Sequence, residues 1–216
     1  MTNQNITARL DHTLLKATAA WDEIKTLCNE ALEYKTASAC IPPCYVKRAR
    51  DAFPDLTVCT VIGFPLGYST VQAKIAETET ALADGASEID MVINIALLKS
   101  GCFGMVEDEI SRIRKTAGDA LLKVIVETCY LTEEEKIHIC GIVTRAGADY
   151  IKTSTGFGGA GAALEDIALF KKHIGKRVKI KAAGGIKTRE AMIAFLEAGC
   201  SRIGSSSAVQ AFSRQS

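Results

Sequence analysis

Three segments of this chain align without gaps: Ala83-Asp-Gly-Ala-Ser-Glu-Ile-Asp90, Arg145-Ala-Gly-Ala-Asp-Tyr-Ile-Lys152 and Glu197-Ala-Gly-Cys-Ser-Arg-Ile-Gly204. In each, a glycine stands where a helical pattern ends, at the position that tolerates positive φ, and an apolar run follows. The fifth residue after that glycine is Asp90, Lys152 or Gly204. A shared register in three units predicts a shared height in one sheet. The same alternation continues elsewhere. Extended runs stand at Ala8–Thr13, Ala37–Ile41, Leu56–Ile62, Glu88–Ile95, Leu121–Thr128, Asp149–Ser154, Val178–Ala182 and Ser201–Ser205. Helical stripes lie between them: Ile24, Leu27, Cys28, Ala31 and Leu32; Val71, Ile75 and Leu82; Ile137, Cys140 and Val143 behind a Thr132/Glu135 capping box; and Met192, Phe195 and Leu196. Strand and helix in strict alternation predict parallel βα units closing into a single (β/α)8 TIM barrel over residues 1–216, an α/β fold. An open doubly wound sheet is the alternative, but no Gly-x-Gly-x-x-Gly follows the first strand.

Composition narrows the function. The 216 residues are 48% hydrophobic and 24% charged, as in a globular protein. The net charge of +1 offers no footprint for nucleic acid or an anionic membrane. No apolar run approaches the ~20 residues of a membrane span, and the first residues lack a secretory pattern, so a cytoplasmic location is expected. The eight cysteines include no Cys-x-x-Cys, and His12, His138 and His173 form no cluster. Reduced, largely buried thiols and no metal or other cofactor are expected.

Strand parity carries the chemistry, because residues two apart share a face. One parity is apolar: Ile89, Met91 and Ile93; Leu122, Val124 and Val126; Ile151; Val178 and Ile180; Ile203. These predict contact with outer helices. The other holds Asp90 and Asn94; Lys123 and Glu127; Lys152 and Ser154; Lys179 and Lys181; Arg202. In a barrel that parity points inward, where unpaired charge is costly. Charges from five strands converging on one axis point to a site. Lysines in strand interiors suggest Schiff-base chemistry with a carbonyl substrate. The obstacle is protonation, since a free lysine at pH 7 is only ~0.04% neutral. A second ammonium about 4 Å away contributes on the order of 4 kcal/mol at an effective dielectric near 20, enough to free the nucleophile. A nearby Asp pushes the other way, so the groups titrate together.

Ala182-Ala-Gly-Gly-Ile186 ends the seventh predicted strand, and Ile203-Gly-Ser-Ser-Ser207 ends the eighth and is expected to open a helix. Loops after strands seven and eight are where such barrels hold phosphate.

The segments Leu10-Asp-His-Thr-Leu-Leu15, Gly63-Phe-Pro-Leu-Gly67, Glu88-Ile-Asp-Met-Val-Ile-Asn94, Tyr150-Ile-Lys-Thr-Ser-Thr-Gly-Phe157 and Val178-Lys-Ile-Lys-Ala-Ala-Gly-Gly-Ile186 resemble the deoxyribose-phosphate aldolase family, and the likeness runs from about residue 6 to 210. It implies a class I aldolase, a lyase that cleaves 2-deoxy-D-ribose 5-phosphate reversibly to acetaldehyde and D-glyceraldehyde 3-phosphate in deoxyribonucleotide catabolism. It implies Lys152 as the Schiff-base lysine and Lys181 as the group that perturbs its pKa. Asp90 and Lys181 would exchange protons, with Asp11 in the wider relay. Gly184, Gly185, Lys187, Gly204, Ser205 and Ser206 would hold phosphate. The chain departs from the family pattern at Lys187, where arginine is common, and in the Gly158-Gly-Ala-Gly161 turn. Its tail, Ser213-Arg-Gln-Ser216, carries no tyrosine.

Several residues keep structural alternatives. Asp11 also suits the end of a strand. Lys123 and Lys179 stand earlier on their strands and suit balancing Glu127 or other buried charge. Cys40, expected near the mouth, suits packing, and Thr153 and Thr155 suit the strand and loop. Rival functions are another Schiff-base aldolase or transaldolase on a different phosphosugar, and a non-catalytic barrel that only binds one. The expected partners are small phosphorylated sugars and aldehydes, with no nucleic acid and no membrane. Apolar positions on outer helices suit a homo-oligomer, a dimer.

Overall fold

A computed structural model describes residues 1–213. Eight parallel strands close into a barrel in chain order: β1 (Leu10–Thr13), β2 (Ser38–Ile41), β3 (Val58–Ile62), β4 (Glu88–Val92), β5 (Leu121–Ile125), β6 (Tyr150–Lys152), β7 (Lys179–Ala183) and β8 (Arg202–Ser205). Closure by pairing of β1 with β8 excludes the open sheet. The helices are α1 (Asn3–Thr7), α2 (Trp21–Glu33), α3 (Val46–Ala52), α4 (Val71–Ala83), α5 (Ile95–Lys99), α6 (Phe103–Ala117), α7 (Glu133–Arg145), α8 (Leu164–His173), α9 (Arg189–Ala198) and α10 (Gln210–Ser213). None of these is long and apolar enough to cross a membrane.

The repeat register holds. Gly85, Gly147 and Gly199 all have positive φ, ending α4, α7 and α9 before β4, β6 and β8. The apolar parity packs outward as expected: Ile89, Met91, Leu122, Val124, Ile151, Ile180 and Ile203 share one buried core with helix residues such as Ile24, Ile110, Val143, Phe170 and Met192. Thr132 accepts from the amide of Glu135, whose carboxylate accepts from the amide of Thr132, completing the box that starts α7.

Three strands, β4, β5 and β6, end earlier than their sequence patterns. Asn94 lies beyond β4, and its side chain caps α5 by accepting from the amide of Leu97. Glu127 lies beyond β5 in a left-handed conformation, φ 54°. Lys179 opens β7 at the outer end beside Tyr150 and is exposed, so its expected deep position is incorrect. The helical stripes need three corrections, one of them on α7, where Ile137 is only half-buried and Ile139 and Ile142 are inside. Leu32 is 39% exposed. On α4 the buried face is Lys74, Thr78 and Ala81, while Val71, Ile75 and Leu82 are only half-buried.

The α4 result has a physical cause. Lys74 crosses to α6, donating to Glu109 at 2.7 Å and to the Val92 carbonyl at 2.7 Å. The second oxygen of Glu109 accepts from the Asn94 amide at 2.9 Å. A buried ion pair thus joins two helices to the end of β4, where apolar periodicity predicts a simple seam. Burial pushes Lys74 down and Glu109 up from their ordinary values, against their mutual attraction. Lys74→Ala leaves the Glu109 charge buried and unpaired, and the expected loss is about 3–5 kcal/mol of unfolding free energy in urea titrations. Lys74→Met combined with Glu109→Leu should recover most of it.

Candidate active site

The inward parity brings one network of charges to the barrel axis. Register places Asp90 beside Lys123, and Lys152 beside Lys181, on neighbouring strands. Lys152 donates to Asp90 Oδ2 at 2.7 Å and Lys181 donates to the same oxygen at 2.6 Å, while Lys123 donates to Oδ1 at 2.7 Å. Asp11 accepts from Lys181, Arg202 and Ser38. Glu88 completes the floor, 2.7 Å from Lys123 and 3.2 Å from Arg202. Asp11, Glu88 and Asp90 therefore face Lys123, Lys152, Lys181 and Arg202, one positive charge in excess. Loss of a single ammonium proton balances the network.

Electrostatics sort the members. Burial raises the carboxyls of Asp90 and Asp11, but the cations around them win and hold both well below the ordinary range. Burial likewise disfavours the ammonium of Lys181, and Asp11 and Asp90 more than offset it, so Lys181 stays protonated. Lys123 is held up in the same way, with Asp90 the strongest of its partners. Both are locked cations at the bottom of the site.

Access separates Lys152 from the rest. A cavity of about 270 Å³ opens above β6–β8, lined by Lys152, Thr155–Phe157, Ala183–Lys187, Gly204–Ser206 and Thr13–Lys16. Lys152 reaches it; Lys123 and Lys181 do not. All six residues anticipated at the phosphate end, Gly184, Gly185, Lys187, Gly204, Ser205 and Ser206, line the same space. Gly204 has no room for a side chain, since a Cβ would stand 3.0 Å from that of Ala183 and 3.2 Å from Lys181 Cε. Gly184 has φ +85° and packs against the backbone of Gly161, which brings the Gly158–Gly161 turn onto the loop after β7.

Other expectations change. The Ser205 hydroxyl is buried and occupied, donating to the Ile186 carbonyl and accepting from the Ser207 amide. A turn follows β8 and α10 begins only at Gln210, so Ser207 does not open a helix. Lys123 pairs with Asp90 and Glu88 rather than Glu127. Glu127 instead accepts from the backbone and hydroxyl of Thr155, and burial raises its carboxyl against those bonds. Thr153 bridges to Ala183 in both directions, a link between β6 and β7. Cys40 is fully buried beside Cys59, below the mouth. Arg214–Ser216 lie outside the described residues. Sequence reasoning missed Glu88, whose signal was a charge at the first position of β4 on the parity of Asp90. It also missed Lys16, which follows the Leu10–Leu15 motif directly and supplies a second cation to the cavity rim.

A parallel barrel with a buried lysine–carboxylate network beneath a glycine-rich cavity is the architecture of a barrel aldolase, and comparison with known proteins agrees. The model of the DeoC/LacD family aldolases matches residues 6–211. The chain belongs to that family and is an aldolase. It is 59% identical over 210 residues to the deoxyribose-phosphate aldolase of Clostridium botulinum (strain Alaska E43 / Type E3), covering 97% of this chain and 95% of that one. It is 53% identical over 205 residues to the enzyme of that name from Clostridioides difficile (strain 630), covering 94% of each. Among solved structures, the tetrameric deoxyribose phosphate aldolase of Aeropyrum pernix superposes with a TM-score of 0.89 at 30% identity, covering 98% of this chain and 92% of that chain.

The depressed carboxyls set a pH window. Asp11 and Asp90 contribute stability that is fully present above the unfolded carboxylate value, about 3.9, and lost as the pH falls below it toward their lower native values. Lys181 works in the opposite sense: its contribution is present below about 10.4 and lost as the pH rises beyond that. Urea titrations across pH should show both flanks, and Asp11→Asn should make the acid flank shallower. An unchanged acid flank in that variant would mean that Asp11 does not hold its proton weakly.

Proposed function

We propose that this enzyme cleaves 2-deoxy-D-ribose 5-phosphate reversibly to acetaldehyde and D-glyceraldehyde 3-phosphate through a Schiff base on Lys152. The observation that carries the reading is the access of Lys152: of the lysines bonded to Asp90, it alone lines the cavity that also holds the glycine and serine loops after β7 and β8. The names of the relatives support the substrate.

In this reading the phosphate dianion lies against the amides near Gly185 and Gly204–Ser206, with Lys187 and Lys16 balancing its charge. Lys152 gives its proton toward Asp90 and attacks C1 of the open-chain aldehyde. Loss of water from the carbinolamine leaves a protonated imine. The C3 hydroxyl then loses its proton, the C2–C3 bond breaks, and its electrons pass into the imine as an enamine. D-glyceraldehyde 3-phosphate departs. Protonation at C2 and hydrolysis release acetaldehyde and restore the amine. Asp90, with Lys181 and water, carries the protons. Lys181 and Lys123 keep Asp90 anionic, so a proton it takes up is held weakly and passes on at once. Asp11 acts one step away, holding the ammonium of Lys181 in place. The product aldehydes fit a place in deoxyribonucleotide breakdown.

Two experiments test the reading. Lys152→Ala should abolish turnover and also the mass gained on borohydride reduction with acetaldehyde, with peptide mapping locating the adduct in the wild type. Lys181→Leu should still form adduct, more slowly, and lose turnover to a greater degree. An adduct that survives Lys152→Ala and disappears with Lys181→Leu reverses the two roles. For the phosphate end, Ser206→Glu is the informative change, because Ser206 is exposed in the cavity wall while Ser205 is tied to Ile186. It should raise KM for the phosphorylated sugar about tenfold or more, roughly 1.4 kcal/mol, and affect unphosphorylated deoxyribose much less. Equal losses on both sugars would sink the phosphate assignment.

A further inference from the structure

Cys40 and Cys59 are 19 residues apart in sequence, a spacing that suggests no metal site. The barrel makes them immediate neighbours. Cys40 on β2 is the register partner of Cys59 on β3, and both side chains are fully buried. Cys59 Sγ lies 3.3 Å from Asp90 Oδ1, and the two sulfurs and an Asp90 oxygen all fall within 4.8 Å of one another. We propose that Cys40, Cys59 and Asp90 form an inhibitory binding site for a thiophilic divalent cation of the zinc and cadmium class.

The geometry suits an ion. Bonds of about 2.3 Å to a tetrahedral ion span sulfurs roughly 3.8 Å apart, and the two sulfurs lie within 4.8 Å of each other. Donor type agrees, since paired thiolates with one carboxylate select soft or borderline ions over magnesium and calcium. One ammonium competes for the place: Lys123 donates to Cys59 Sγ at 3.2 Å and to Asp90 Oδ1 at 2.7 Å, and an ion displaces it toward Glu88, 2.7 Å from the same nitrogen. A divalent ion that replaces one proton on each thiol leaves the net charge of the barrel interior unchanged.

There is also a route. Leu15 and Phe64, both half-buried, are the hydrophobic side chains packed over Cys40, Cys59 and Val61, and Leu15 lines the cavity above Lys152. Rotation of Leu15 opens the pair to the space that substrate enters. The consequence follows from Asp90, whose Oδ1 faces Cys59 while Oδ2 receives Lys152 and Lys181. An ion bound at Oδ1 draws the negative charge of the carboxylate away from both lysines, and turnover stops while the barrel stays folded.

The test uses full-length enzyme in which the accessible thiols are removed by Cys44→Ser, Cys102→Ser and Cys129→Ser. Cadmium is titrated without substrate while thiolate-to-metal charge-transfer absorption is followed in the ultraviolet, so the result is independent of whether Lys152 is the nucleophile. A single saturating equivalent is expected. Adding Cys40→Ser or Cys59→Ser should weaken binding about tenfold or more and remove the band. Cys40→Ala and Cys59→Ala provide second variants, and circular dichroism verifies that each is folded. Zinc should inhibit aldol cleavage by the parent, a chelator should restore it, and Cys40→Ser should need about tenfold more zinc for the same loss. A band that persists without Cys40 or Cys59 overturns the site. A parent that binds cadmium through both sulfurs yet keeps full activity in saturating zinc overturns the inhibition.

Discussion

The fully buried carboxylate of Asp90 accepts three ammonium groups, from Lys123, Lys152 and Lys181. Taken singly, each of these charges is a liability inside a barrel. Together they are tolerable because every one has a partner at hydrogen-bond distance, and Asp11, Glu88 and Arg202 extend the pairing across the floor to β1, β4 and β8. The strand register follows from this need. A slip of one residue would send the charges outward among the helices and the apolar parity inward.

Depth then divides labour among chemically similar groups. Lys123 and Lys181 are enclosed by carboxylates and stay charged, which keeps Asp90 anionic. Lys152 shares the same carboxylate but ends at the cavity. Its strand, β6, is only three residues long, and the chain soon reaches the Thr155–Phe157 segment that forms part of the cavity wall. The short strand is what brings a lysine to the boundary between the buried network and the open space.

The loops that frame the cavity are held by contacts that have little to do with substrate. Thr153 ties the end of β6 to Ala183 at the end of β7. Ser205 ties β8 to Ile186. Gly204 leaves room for the stem of Lys181, and Gly184 meets Gly161 backbone to backbone. On the far side of the barrel, Lys74 and Glu109 hold the end of β4 just past Asp90. These bonds fix the heights of the strand ends, and the site inherits its geometry from them.

The sequence by itself determined the alternation of strand and helix, the parity that sends Asp90, Lys123, Lys152, Lys181 and Arg202 inward, and the glycine-rich ends of β7 and β8. These are local properties: periodicity, turn chemistry and the fixed alternation of side chains along a strand. The lysine motifs also made the family legible. Tertiary structure alone decided which lysine meets the cavity, that Lys179 is exposed at the outer end, that Lys74 replaces an apolar seam, that the Ser205 hydroxyl is already engaged, and that Cys40 lies against Cys59. Each of these depends on where one strand ends relative to its neighbour or on which helix faces which. Those offsets are set by packing and hydrogen bonds between residues tens of positions apart, and no local pattern in the chain encodes them.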